Sequence, residues 1–331
     1  MKRTLTLFLF VLLILALAGC GGQPTEAPAE PTATLEPTAS PTPAPPRALL
    51  VIPEGTDPAA AEAVSITLGQ MAAESGIQLD SLTALQPGEV TAEVKVVVFL
   101  STPADLSAFL SAAPQTQFIT VSGQELPQAA NLSVIRTRPE DLAFLGGYTA
   151  AILAPDWRVL ALLDSSAPDA AAFQQAFSNG YAYWCGVCVV SSPPFISFPL
   201  VASQPGSDPA AWQAAVEAQR PNNPMLLFLG PGVLSNDLAA WIAGQNMLMF
   251  GAGLPADASR ASWAGTLGYD LAASVAALWP DALAGTGGKT VSAALTITQV
   301  QSGILTDGRM RLVREMADEL AKGLFNPFNV P

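Results

Sequence analysis

Residues 137–188 run TRPEDLAFLGGYTAAILAPDWRVLALLDSSAPDAAAFQQAFSNGYAYWCGVC, and they read as helix, strand, helix. Thr137-Arg138-Pro139-Glu140 has the spacing of a capping box, in which the Thr hydroxyl and the Glu carboxylate satisfy each other's backbone amides. Pro139 is harmless there, because first-turn amides have no helical partner. Leu142, Leu145, Thr149 and Ile152 recur at helical spacing, and Ala154-Pro155 predicts the stop. Ala143, Gly147 and Ala151 form a second stripe of small residues. Interior glycines cost about 1 kcal/mol each against Ala. The pair Gly146-Gly147 therefore predicts that another backbone packs close to this helix. Residues 157–163, apolar apart from Arg158, run up to Asp164, the pattern of a parallel strand covered on both faces. Ser166-Ala167-Pro168-Asp169 predicts a second capping box, followed by Phe173, Phe177, Gly180, Tyr181 and Trp184 on one helix face. Two capped helices around a buried strand are the middle of an alternating α/β sheet.

The same alternation extends in both directions. Toward the N-terminus, residues 48–52, 94–100, 117–121 and 133–136 read as strands. Asp57-Pro58 opens a helix to about Glu74, and residues 105–112 form a shorter one. Toward the C-terminus, strands are expected at 195–202, 225–229 and 247–250. Helices are expected at 209–219, 236–243, 269–283 (interrupted at Trp279-Pro280) and 310–322. Residues 291–297 alternate and suggest an edge strand or hairpin. The chain thus divides into one β/α lobe over 47–136 and a crossover helix with a second lobe over 137–331. The last segments are free to return to the first lobe.

Residues 1–46 stand outside this pattern. Lys2 and Arg3 precede an apolar run too short for a membrane span of about 20 residues, so 1–19 reads as an export signal. Leu17-Ala18-Gly19-Cys20 resembles the bacterial lipobox, which implies lipidation of Cys20. Eight prolines between Gly21 and Pro46 make residues 20–46 an extended tether. Losing Lys2 and Arg3 with the signal takes the formal charge from −13 to −15, which disfavours a nucleic-acid partner.

Two longer stretches carry a resemblance. AFLGGYTAAILAPDWRVLALLD followed by FQQAFSNGYAYW resembles the basic membrane protein family of substrate-binding lipoproteins. So do residues 201–215, with their Asp-Pro loop and alanine-rich helix, and the closing segment from Arg309. Two β/α lobes behind a signal, a lipid site and a tether describe an α/β, two-lobed, type I periplasmic-binding fold, each lobe a parallel sheet flanked by helices. The resemblance implies a solute-binding protein of an ABC importer, with a permease as partner and the extracytoplasmic face of the cell membrane as its location. Family members that bind purine nucleosides carry Ser-Phe-Asn after the first strand. Here that place holds Pro53-Glu54-Gly55-Thr56-Asp57-Pro58-Ala59, without Phe or Asn, so nucleoside specificity does not follow.

The chain has no histidine, which removes the usual neutral-pH base, His-containing zinc sites and any Ser-His-Asp triad. No phosphate-binding glycine motif follows a strand. Neither a cofactor, a metal nor an enzymatic reaction has a positive signal. Cys185-Gly186-Val187-Cys188 invites a redox reading, but it follows a helix, where the dipole disfavours a thiolate. A structural disulfide in an exported protein is the expectation, worth roughly 2 kcal/mol on the chain-entropy estimate, with redox work and paired free thiols as the alternatives.

Ligands of open α/β sheets bind outside the carboxyl ends of the strands. That rule selects Asp164, Ser165 and Ser166 after the central strand, Ser101 and Ser122 in the first lobe, and Gly230 and Gly251 in the second. Trp263 and Tyr269, near the lobe crossover, are the rings placed to stack on a solute. The competing expectation for each serine and glycine is an ordinary turn, and for the tryptophans core packing. The function expected is capture of a small polar solute between two lobes for import. The alternatives are a ligand-sensing surface receptor of the same fold and, more distantly, an enzyme.

Overall fold

The computed structural model describes residues 45–329; the signal segment, Cys20 and all but the last two tether residues lie outside them. Two six-stranded sheets form the framework. The first contains β1 (Arg47–Val51), β2 (Gln78–Leu82), β3 (Val94–Phe99), β4 (Gln117–Ser122), β5 (Leu132–Arg136) and β11 (Thr290–Ser292). Its order is β11-β5-β4-β3-β1-β2, with every pairing parallel. The second contains β6 (Val159–Asp164), β7 (Leu200–Gln204), β8 (Leu226–Leu229), β9 (Leu248–Ala252), β10 (Trp263–Tyr269) and β12 (Leu295–Thr298). Its order is β12-β10-β9-β8-β6-β7, and only β12 runs antiparallel. The central strands β3, β6 and β8 are almost wholly buried, which explains their apolar runs, broken in β3 only by the exposed Lys95.

The helices are α1 (Pro58–Glu74), α2 (Leu106–Ala112), α3 (Pro139–Leu153), α4 (Ala170–Cys185), α5 (Pro209–Gln219), α6 (Asn236–Gly244), α7 (Leu271–Leu283) and α8 (Asp307–Ala321). α1 and α5 begin as the Asp-Pro signals predict: Asp57 and Asp208 each accept the amide two residues on, at 3.0 and 3.1 Å. Chain order does not separate the lobes. α7 sends Val275, Leu278 and Trp279 into the core of the first sheet, beside Leu68 and Val98. β11 then joins that sheet and β12 the other. The alternating stretch 291–297 is therefore neither one edge strand nor a hairpin, because Ala293 and Ala294 carry the chain from one sheet to the other. With the links β5–α3 and β10–α7, three segments cross between the sheets.

α3 is the axis of the molecule. Every residue from Asp141 to Leu153 is buried. Its contact with α4 is made backbone to backbone. A Cβ added at Gly147 would stand 1.9 Å from the Phe177 carbonyl oxygen, and one at Gly180 would stand 1.9 Å from that of Phe144. Of the glycine pair, Gly147 thus marks the backbone approach, with Gly180 as its reciprocal partner on α4, while Gly146 faces the side chain of Phe228.

Several local expectations are corrected. Neither predicted capping box forms. Arg138 occupies the N-cap of α3 without a side-chain cap bond. Thr137 continues the strand, its N–H donating to Ser122 O (2.9 Å), and Glu140 accepts from Arg138 Nε (3.1 Å). Ser166 donates its hydroxyl to Asp164 Oδ1 at 2.6 Å, and α4 starts only after Asp169. The strand expected at 195–202 starts at Leu200, because Pro193, Pro194 and Pro199 have no N–H to offer a ladder. The central strand starts at Val159 rather than Trp157, since Asp156 and Trp157 both take positive φ (49° and 61°). β10 was not expected: Gly265 and Gly268 interrupt its apolar pattern. β2, QLDSL, is a polar edge strand with no alternation to read. α7 runs through Pro280 to Leu283.

The chain between α4 and β7 is held by Arg158, whose side chain is 1% exposed. Nη1 donates to Asn222 O (3.1 Å), Nη2 to Ser192 O and Pro193 O, and Nε pairs with Asp156. The guanidinium also stands over the Phe198 ring, 5.6 Å from its centroid. Cys185 and Cys188 are joined by a disulfide at the end of α4, with Cα atoms 5.0 Å apart.

Candidate functional site

The carboxyl ends of the strands of both sheets face one cleft. Its larger chamber has a volume of about 670 Å³. The first sheet contributes the β1–α1 loop (Pro53 to Asp57) and Leu100-Ser101 after β3. The second contributes the turns after β8 and β9 and the end of β10. A smaller chamber of about 260 Å³ adjoins it and shares Leu142, Pro231 and Tyr269 with it. Leu163, Phe173, Ala167 and Ala170 give this second chamber a mainly apolar wall, in which Asp164 and Asp169 are set.

Asp164 sits at the end of β6. Its Oδ1 accepts from Ser166 Oγ (2.6 Å), Ser166 N–H (2.8 Å) and Gly206 N–H (2.9 Å). These bonds, the Ser166 hydroxyl foremost, hold its carboxyl below the usual range. With one oxygen fixed, the other faces Gly232, where an added Cβ would lie 3.3 Å from Oδ2. Ser166 is therefore spent on positioning Asp164. Ser165 is exposed, lines neither chamber, and uses its N–H to extend the sheet to Gln204 O (2.9 Å).

The remaining candidates divide. Ser101 is exposed and lines the larger chamber, Gly230 lines the smaller, and Tyr269 walls both. Ser122 is buried and closes a local turn with Gln124 (2.8 and 3.1 Å). Gly251 belongs to strand packing, since a Cβ there would lie 2.0 Å from Leu229 O. Trp263 cannot stack on a solute: it is 1% exposed, packed among Leu160, Trp212 and Met249, and its Nε1 donates to Thr266 Oγ1 (3.0 Å). The residues not anticipated as lining are Glu54, Thr56 and Asp57 from the first sheet, and Leu234, Ser235, Asn236 and Leu254 from the second. The readable signal for them was a strand end followed at once by a helix cap, at Asp57 and again at Ser235. Among the described residues no group of three or more His, Cys, Asp or Glu is placed to hold a metal ion, and no helix is long and apolar enough to cross a membrane.

Behind Tyr269, where the crossing segments meet, lies a third cavity of about 30 Å³ bounded by Arg138, Asp141, Tyr269, Ser292 and Leu295. Asp141 is 4% exposed; Oδ2 pairs with Arg138 Nη1 at 3.2 Å and Oδ1 has no hydrogen-bond partner. Burial pushes its pKa up to about 6, against the pull of Arg138 and with a further push from Glu140. Burial likewise raises the Tyr269 phenol, helped by the nearby Asp141 and Glu140 charges. A carboxyl that holds its proton more tightly folded than unfolded costs stability as pH rises from about 4 to 6. Asp141→Asn is therefore expected to stabilise the chain by roughly 1–3 kcal/mol at pH 7. The difference from wild type should vanish below about pH 4, as read from denaturant melts across pH. A pH-independent difference would contradict this.

No family model matches the chain, and no curated protein matches it. Solved structures do. An ABC transporter solute-binding protein from Conexibacter woesei superposes with TM-score 0.64 at 17% identity, over 86% of this chain and 98% of that one. The arabinose-binding protein AraP from Geobacillus stearothermophilus gives 0.55 at 12%, over 79% and 98%. A transcriptional activator of the comK gene from Bacillus halodurans gives 0.61 at 11%, over 85% and 99%. At these identities the likeness establishes the fold, which is two-lobed and of the type I periplasmic-binding-protein kind.

Proposed function

We propose that this chain is the solute-binding component of an ABC importer. It is held at the extracytoplasmic face of the cell membrane by a lipid on Cys20 and captures a small solute between its lobes. The observation that carries the reading is the 670 Å³ chamber built from strand ends of both sheets, joined to a smaller, more apolar one. Three crossing segments form the hinge such capture requires. The signal, the Leu-Ala-Gly-Cys sequence and the proline-rich tether support the anchor. The α3–β6–α4 segment supports kinship with the basic membrane protein lipoproteins. Solute-binding proteins and a transcriptional activator share this fold; a DNA-directed role is the poorer fit to a formal charge of −13. Calorimetric titration with a panel of neutral, cationic and anionic small solutes tests the reading. At least one is expected to bind with a micromolar or lower Kd and a negative heat-capacity change. A panel without any binder, sugars, nucleosides, amino acids and amines included, would contradict it.

A further inference from the structure

The charge of the cleft is one-sided. Glu54 and Asp57 line the larger chamber and Asp164 and Asp169 the smaller, while no lysine or arginine lines either. None of the four carboxylates belongs to an ion pair among the described residues. The smaller chamber also carries two aromatic rings, Tyr269 and the buried Phe173, beside Leu142 and Leu163. Asp164 is held by three donors to one oxygen, so its other oxygen stays directed at Gly232, which walls the larger chamber.

Lobe closure expels water and strengthens every electrostatic interaction inside. Four carboxylates without a cationic partner, brought into that space, repel one another and lose hydration. An anionic solute adds to the repulsion. A neutral polyol can donate hydrogen bonds to the carboxylates but leaves their charge in place. A cation satisfies both demands, because charge-assisted hydrogen bonds to carboxylates are the stronger kind and ring faces attract ammonium and guanidinium groups.

Resting on the solute-binding reading above, we propose that the solute is a small organic cation: an amine or guanidine on an apolar stem. Its stem packs on Leu142, Leu163 and Phe173, and its charged head lies between Asp164 and Asp169, against the Tyr269 ring.

The test is calorimetry at constant ionic strength with agmatine, choline and spermidine as cations, D-ribose, D-glucose and adenosine as neutral probes, and L-glutamate and citrate as anions. One of the cations is expected to bind at least about tenfold tighter than every neutral or anionic probe, with affinity falling as salt is raised. The double variant Asp164→Asn/Asp169→Asn keeps an amide oxygen to accept from Ser166 and Gly206. It should weaken that cation about tenfold or more while any neutral probe changes little. A neutral or anionic probe that binds tightest, or a cation whose affinity survives the double variant, overturns the charge class and leaves solute binding standing. A panel without binders defeats both.

Discussion

Gly147→Ala is expected to destabilise the folded chain by about 3 kcal/mol or more, at or beyond the usual range for overpacking a core. The added methyl would stand 1.9 Å from the Phe177 carbonyl oxygen and 2.8 Å from the Tyr181 nitrogen. Both are backbone atoms of α4, so no rotamer change can relieve the clash. α3 and α4 would have to separate, and α3 is packed on every side. The control is Gly69→Ala in α1, where an added Cβ meets nothing within 4 Å. There the gain in helix propensity should stabilise by roughly 0.5–1 kcal/mol. Guanidinium melts of the two variants should shift in opposite directions with unchanged slope. A Gly147→Ala variant as stable as wild type would mean that the two helices are not in backbone contact.

Ser101→Trp is expected to abolish solute binding, at least about 100-fold in Kd, with the fold intact. Ser101 is exposed at the carboxyl end of β3, makes no hydrogen bond through its side chain among those of the described residues, and lines the larger chamber. An indole there places on the order of 200 Å² of side-chain surface into the space where the lobes meet. It fills the volume a solute needs and props the lobes apart. A hundredfold loss corresponds to about 2.8 kcal/mol, whereas an exposed substitution should move stability by no more than about 0.5 kcal/mol. Undiminished affinity in this variant would place the solute elsewhere.

How much of this was readable in the chain depended on whether the determining forces were local. The α3–β6–α4 core was legible because apolar periodicity, a proline stop and an otherwise costly glycine pair all act within about 50 residues. The start signals were right in kind and wrong in detail. Thr137 and Ser166 have capping chemistry, but strand pairing claimed the first and the Asp164 carboxylate the second. β10 escaped notice because Gly265 and Gly268 dilute its apolar pattern. Missing it put Trp263 beside the cleft instead of in the core, since strand alternation decides which way that ring points. The strand-end rule located the cleft loops but not their side chains: Ser101 and Tyr269 line it, while Ser122 turns into its own loop. Which loops meet, Glu54 to Asp57 from one sheet and Leu234 to Asn236 from the other, is set by sheet order and by three crossings far apart in sequence. Arg158, buried among carbonyls from residues 192, 193 and 222, has no local signature at all.

Small-angle X-ray scattering tests the central claim most directly, that the two lobes close on a solute in the cleft they share. Saturating the protein with whichever panel solute binds tightest is expected to lower the radius of gyration and narrow the pair-distance distribution, and the Ser101→Trp variant should show neither change. A scattering curve that stays the same on saturation, for a solute whose binding calorimetry has established, would contradict closure around the cleft and with it the proposed capture mechanism.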